Sequence, residues 1–471
     1  MNYLNNIYIN YINHVDIIKL SFSMKIADHK NILIVILVLI AFSLVSVAIF
    51  ESFLGNNETS DADQPTSDQT TMTTKIKESS LLKGMTYVSQ ETAFFCHYAS
   101  CTMMFKYLQI DTSLREVLYY SGIGYSSLYQ NPLLIGSYIL SQQPEDIEFL
   151  SSLYGLSVTL WYPDPEEVYG ETQQWSEYWL RIKQNISNNN PLETSVDPLD
   201  LPSLQKQFDL SEEKWKSFQS TPHSIVIVGY NEDNNTVCYF DPLAKYLGDE
   251  TYGTYAWMSI HTFKEAVTTS TGTKYLLISF SKTTDPLPKN EAFQKAHERN
   301  IQRLQGNYPA YSDIFSKLGA NFVFGTSASN ALKQDFGRGL SHRIKTILLY
   351  KIIGKSYRKQ NRRTSIYCLL HKIPLSIVHT LFTSESEFYR IGIEKQYIAH
   401  YLEEIGKSHE ANLFEQEAEL WSELSQHYEK FMKRGFLIRL PRALFIMKTM
   451  ENIMEETLSI EHSIISSQTI Y

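Results

Sequence analysis

The sequence predicts an α+β protein with a transmembrane helix near its N-terminus and a helical C-terminal half. Three observations carry this expectation: an uncharged apolar run at 32–50, a β-hairpin pattern at 223–242, and helical apolar spacing from Ile393 onward. The chain has 471 residues, enough for two globular units, and its 43% apolar and 13% aromatic content suffices to fill their cores. A net charge of −9 argues against general nucleic-acid binding.

Residues 1–31 read as a cytoplasmic tail and 32–50 as the membrane helix. Ile32 to Phe50 has only Ser43 and Ser46 as polar interruptions, and its length matches the hydrocarbon core of a bilayer. The competing reading is a cleaved signal peptide beginning at Met24. The run is longer than a usual signal core, and the exit Val47-Ala-Ile-Phe-Glu-Ser-Phe lacks a small-x-small site, so an anchor is expected. Lys19, Lys25 and Lys30 precede the run, whereas Glu51, Glu58, Asp61, Asp63 and Asp68 follow it. The positive-inside rule therefore puts the N-terminus in the cytoplasm and the rest of the chain outside. Residues 51–82 form the expected linker, since Gly55 to Thr74 is rich in Ser, Thr, Asp, Asn and Gln.

A globular unit is expected over 83–284. Gln90 lies in a loop ahead of Phe94-Phe-Cys-His-Tyr-Ala-Ser-Cys, where helix-compatible residues begin, so Cys96 falls in the first turn of a helix. A thiol there meets unpaired N–H groups and the positive end of the helix dipole, which favour the thiolate. Gln90 can turn a side-chain N–H toward the same point and stabilise an oxyanion formed when a carbonyl is attacked. Between 125 and 219 stand Trp161, Tyr162, Trp175, Tyr178, Trp179 and Trp215, read mostly as core.

Next come His223-Ser-Ile-Val-Ile-Val-Gly-Tyr, the turn residues Asn231-Glu-Asp-Asn-Asn, and Val237-Cys-Tyr-Phe-Asp-Pro. Two β-branched or aromatic runs around a turn make a hairpin. Strand pairing brings its two ends together, so His223 and Asp241 meet. A carboxylate on one imidazole nitrogen leaves the other to take a proton from Cys96. Each residue alone has an ordinary reading: Cys96 as a buried small hydrophobe, His223 as a strand-start histidine, Asp241 as a turn former. Jointly they form the pattern of a thiol nucleophile with its helpers.

These segments resemble the C39-like peptidases of the papain-like cysteine peptidase superfamily, and the related N-terminal domain of the butirosin biosynthesis protein H type. The resemblance spans roughly 83–282, including Trp257-Met-Ser-Ile-His-Thr-Phe and Tyr275-Leu-Leu-Ile-Ser-Phe as a closing helix and strand. It implies a papain-like fold, with Gln90 as oxyanion donor, Cys96 as nucleophile, His223 as base and Asp241 as its orienting residue. The activity implied is cleavage of a peptide bond through a Cys-His-Asp triad and an acyl-enzyme thioester. Two alternatives stay open: acyl transfer to an amine, as associated with the butirosin H type, and an inactive binding module of the same fold. C39-like members commonly carry Gly-Pro after the nucleophile, where this chain has His97-Tyr98. His97 reads as a first-turn side chain without a metal role, because no His, Asp or Glu stands near it at ligand spacing.

Residues 285–471 are expected to form an all-α domain. Leu413, Leu420, Trp421, Leu424, Tyr428 and Phe431 repeat at helical spacing, and a Trp-bearing helix after such a catalytic unit is similar to the butirosin H arrangement. Arg338 to Lys372 is rich in Lys and Arg without Asp or Glu, and Ile344, Leu348 and Ile352 give it an apolar face. It reads first as a packed helix with solvated charges; docking on acidic lipid or an acidic protein is the competing reading. Cys96, Cys101, Cys238 and Cys368 are too few and scattered for a disulfide framework. No Gly-rich phosphate loop, HExxH or CxxC is present, so no cofactor and no metal is expected.

Overall fold

The fold centres on the strand beginning at His223, whose β-branched run has both faces covered. The computed structural model describes residues 77–130, 133–163, 171–208, 222–270, 274–307, 323–337, 387–433 and 440–467. All lie in one compact unit. The expected tail, the membrane helix at 32–50, the Gly55–Thr74 tether, Trp215, the basic segment 338–372 and Cys368 lie outside the described residues. Among those described, no helix is long and apolar enough to cross a membrane.

The strands are β1 (Ser79–Leu81), β2 (Ser127–Gln130), β3 (Leu133–Gly136), β4 (Leu156–Trp161), β5 (Leu192–Val196), β6 (His223–Asn231), β7 (Thr236–Phe240), β8 (Ala256–Ser259), β9 (Leu277–Lys282) and β10 (Val323–Phe324). The main sheet runs β4-β9-β5-β6-β7-β8, antiparallel throughout, with β1 also on β6. β5 pairs with His223 to Ile227, and β1 continues along β6 over Gly229 to Asn231. Thus the last residues of the expected linker are a strand, because its N–H and C=O groups complete the β6 ladder where β5 ends. Gly229 permits this approach: a Cβ there would stand 2.7 Å from Leu81 Cδ1 and 3.0 Å from Ser80 O.

The main helices are α1 (Cys96–Tyr107), α2 (Leu114–Ser121), α3 (Pro144–Leu153), α4 (Glu171–Ser187), α5 (Pro202–Phe208), α6 (Ile260–Thr269), α7 (Lys289–Leu304), α8 (Thr326–Gly337), α9 (Glu387–Glu404), α10 (Ser408–Lys433) and α11 (Leu440–Ser467). Ser113 caps α2 by accepting from Glu116 N–H, and Ser259 caps α6 by accepting from Thr262 N–H. Helices cover both faces of the sheet. Successive strand residues point to opposite sides, and Glu193 meets His97 of α1 while Thr194 bonds Tyr178 of α4. Ile225, Val226, Ile227 and Val228 are fully buried between these layers, each contributing about 1.5–3 kcal/mol by burial.

Among the described residues the C-terminal part is helical except for β10, which pairs with β2 and so extends the β2–β3 hairpin to three strands. α9, α10 and α11 pack in sequence, with α8 on α11. Trp421, 1% exposed, sits in their core with Phe388, Ile391 and Leu332, as its helical spacing implied. α9 also packs on α2 and β3.

Candidate active site

Cys96 is the first residue of α1. Phe95 at the cap offers no side-chain acceptor, and the first turn has no acidic residue. The helix therefore begins with backbone N–H groups that no capping side chain satisfies, and its positive end faces the thiol. Across from it, His223 opens β6 and Asp241 follows β7, so the hairpin brings them together. His223 Nε2 lies 2.8 Å from Asp241 Oδ1. The other ring nitrogen remains for Cys96, whose thiol is influenced by His223 and by the Ser224 N–H.

These contacts set the charges. Burial alone would push the Cys96 thiol up, but the His223 hydrogen bond, its positive charge and the Ser224 N–H outweigh it and bring the thiol below its ordinary value. Burial would lower His223, but the Asp241 charge and hydrogen bond, with Cys96, raise it to about 10. Asp241 is 0% exposed. Burial would raise it, yet His223, Ser203 and the Leu243 N–H hold it below the usual carboxylate range. These directions favour a thiolate–imidazolium pair backed by a carboxylate.

Asp241 accepts two further hydrogen bonds, from Ser203 Oγ at 2.6 Å and Leu243 N at 2.9 Å. Ser203 comes from α5 and has no signal in the sequence, being an ordinary serine after a proline with no spacing to link it to Asp241. Tyr87 OH donates to Asp241 O at 3.0 Å and accepts from Lys245 N–H at 3.1 Å. The turn after Asp241 is thereby tied to the segment leading into α1.

Gln90 is fully buried in that segment, and its N–H donates to Pro242 O at 3.0 Å. Its side-chain Nε2 donates to Thr92 O, and among the described residues its Oε1 has no partner. The amide is therefore partly engaged within its own loop, one of its two N–H bonds being used by Thr92. The structure joins His223 and Asp241 by a hydrogen bond, brings Cys96 within interaction range of His223, and ties Gln90 to the turn after Asp241 through Pro242.

His97 departs from expectation. Its Nδ1 lies 2.8 Å from Glu193 Oε1, and Cys101 Sγ lies 3.7 Å from Glu193 Oε2. The partner that the sequence around His97 lacks is supplied by β5, 96 positions away. Burial would lower His97, but Cys101 and Glu193 raise it well above an ordinary histidine, while burial pushes the Cys101 thiol up to about 11. Cys101 and Cys238 are buried, and no disulfide involves Cys96, Cys101 or Cys238.

The C-terminal helices reach the same loop. Tyr397 of α9 packs edge-on against Phe95 with ring centroids 5.1 Å apart, and its hydroxyl donates to Glu91 Oε2 at 3.0 Å. Arg390 lies 5.7 Å above the Phe94 ring. Of the aromatic residues in the middle segment, Tyr178 and Trp179 are buried, and with Trp175 they pack against Phe263 of α6.

Residues 82–268 match the Peptidase_C39 like family. The match encloses Gln90, Cys96, Ser203, His223 and Asp241, and it ends within α6, before β9 and the C-terminal helices. No match is found among curated proteins.

Proposed function

With residues 82–268 forming a domain of the Peptidase_C39 like family, we propose that the chain is a cysteine peptidase of papain-like fold. Cys96 is its nucleophile, His223 its acid–base residue and Asp241 the orienting carboxylate. The observation that carries this reading is the chain Asp241–His223–Cys96 at the start of an uncapped helix. In the proposed reaction the Cys96 thiolate attacks a peptide carbonyl, and the resulting oxyanion takes hydrogen bonds from the Cys96 N–H and the second Nε2 hydrogen of Gln90. His223 gives its proton to the leaving amine as the C–N bond breaks, leaving an acyl-enzyme thioester. Water then attacks the thioester and passes a proton to His223. The C–S bond breaks, the acid product leaves, and the thiolate–imidazolium pair is restored.

The helices beyond the family match wall the nucleophile loop through Tyr397 and Arg390. That favours acyl transfer to an amine as the second reading, because a covered loop can admit an acceptor in place of water. We also propose that residues 32–50 anchor the chain in a membrane with the catalytic domain outside the cytoplasm, supported by the flanking charges.

The test is alkylation of the full chain by iodoacetamide at neutral pH, with adducts located by mass spectrometry. Cys96 should react about a hundredfold faster than Cys238, and His223→Ala should remove the difference. Equal rates at the two thiols would overturn the enzyme reading. A peptide-derived acyl-enzyme that partitions to an added amine even in excess water would favour transfer over hydrolysis. Removal of the domain from intact cells by external protease would support the outside location.

A further inference from the structure

Next to the proposed catalytic chain lies a cluster of ionisable side chains that the mechanism does not use. His97 and Cys101 stand one helical turn apart on α1, so both point to the same side, and Glu193 reaches them from β5. Their exposures are 4%, 0% and 2%. One nitrogen, one sulfur and one carboxylate oxygen lie within 4.8 Å of one another. His97 Nδ1 is 2.8 Å from Glu193 Oε1 and 3.9 Å from Cys101 Sγ, which is 3.7 Å from Glu193 Oε2.

These separations bracket the edges of a metal coordination tetrahedron. A Zn2+ ion with N and O ligands at about 2.0 Å and S at about 2.3 Å holds its ligand atoms roughly 3.3–3.5 Å apart. The 2.8 and 3.7 Å separations run to different oxygens of the Glu193 carboxylate, so that group turns as well as shifts to present its ligand oxygen to the ion, while His97 Nδ1 and Cys101 Sγ close by about half an ångström. The charges also balance: one thiolate and one carboxylate neutralise a divalent ion, so the buried cluster carries no net charge. A thiolate in the set disfavours Mg2+ and Ca2+, whereas a mixed nitrogen, sulfur and oxygen set suits Zn2+.

We infer that His97, Cys101 and Glu193 form a binding site for a Zn2+-class ion that clasps the nucleophile helix α1 to strand β5. On binding, the metal displaces the Nδ1 and thiol protons to solvent, and N–metal, S–metal and O–metal bonds replace the hydrogen bonds among the three side chains. The three protein ligands leave one position for a small ligand such as water. The role is structural. β5 pairs with β6, where Val196 stands opposite His223, so the clasp fixes the helix that begins with Cys96 against the part of the sheet that carries His223.

The experiment uses the full chain with Cys96→Ala, which removes the neighbouring thiol as a competing ligand. Produced with zinc, it should hold about one Zn2+ per chain by elemental analysis. Exchange for Co2+ should give an intense near-ultraviolet band from thiolate-to-cobalt charge transfer. Adding Cys101→Ser should abolish that band and lower bound metal about tenfold or more, and adding Glu193→Gln should weaken binding with the fold retained by circular dichroism. The inference is overturned if the Cys96→Ala chain, refolded with Zn2+ or Co2+, binds no metal, or if its cobalt form lacks the band. Cys101→Ser retaining metal would also overturn it. The cobalt spectrum needs no second substitution, so it decides even where a variant misfolds, and no readout depends on peptidase activity.

Discussion

Asp241 has three donors and no exposure, so its carboxylate is held by more than the histidine it orients. Ser203 and the Leu243 N–H fix the plane of the carboxylate, and that plane fixes the His223 ring. Asp241→Asn would remove the charge that does most to raise His223. Its expected effect is a loss of about a hundredfold or more in kcat/KM. The pH profile tests the same link. Activity through the thiolate–imidazolium pair should fall as pH rises through about 10, where His223 loses its proton. In Asp241→Asn this alkaline limb should move to lower pH. An unmoved limb would separate Asp241 from the titration of His223.

At the scale of elements, the β6–β7 hairpin and the start of α1 do the positioning, and a turn between them sets the tolerance. Gly253 lies against that turn, its C=O accepting from the Asp241 N–H at 2.8 Å. A Cβ at Gly253 would collide with the Asp241 carbonyl and stand 2.5 Å from Ala244 Cβ. Gly253→Ala should therefore displace Asp241, costing about 1–3 kcal/mol of stability and lowering kcat/KM by more than that cost alone explains. Thermal melting and steady-state kinetics on the same preparation would show whether activity falls further than the folded fraction. The hairpin itself was legible as local pattern, because two continuous β-branched or aromatic runs flank the turn residues Asn231 to Asn235. Asn235 takes the left-handed backbone, φ 53°, that such a turn requires.

At the scale of the whole molecule, the C-terminal helices form one compact unit with the family-matched region and contain buried carboxyls of their own. Lys395 pairs with Glu417 at 2.6 Å, and Ser329 Oγ donates to Glu461 at 2.8 Å. Burial and then the nearby Glu417 charge push Glu461 up to about 8, while burial raises Glu387 and Glu394 to about 7. A carboxyl raised in the folded state favours folding fully below its unfolded value near 4.5 and loses that contribution as pH rises through its folded value. Stability of this part should thus decline between about pH 5 and 8. Glu461→Gln should melt at a higher temperature than the unaltered chain at pH 8, with the gap closing toward pH 5. A gap independent of pH would overturn this assignment.

By itself the sequence determined what depends on neighbours along the chain: the helix starting at Cys96, the hairpin from His223 to Asp241, and the Trp421 helix. Periodicity and turn chemistry are local, and they leave few ways to bury the same apolar residues. Tertiary structure alone decided which distant polar groups meet. Ser203 reaches Asp241 across 38 positions, and Glu193 reaches His97 across 96. Neither pairing has a spacing rule, because the order of strands in the sheet sets it. The strand order likewise places β9, near residue 280, between β4 and β5, and the packing of α9 on the Glu91–Phe95 loop arises from burial of Tyr397 against Phe95. Cys96 and His223 were therefore legible in one dimension, while the groups that hold them required the fold.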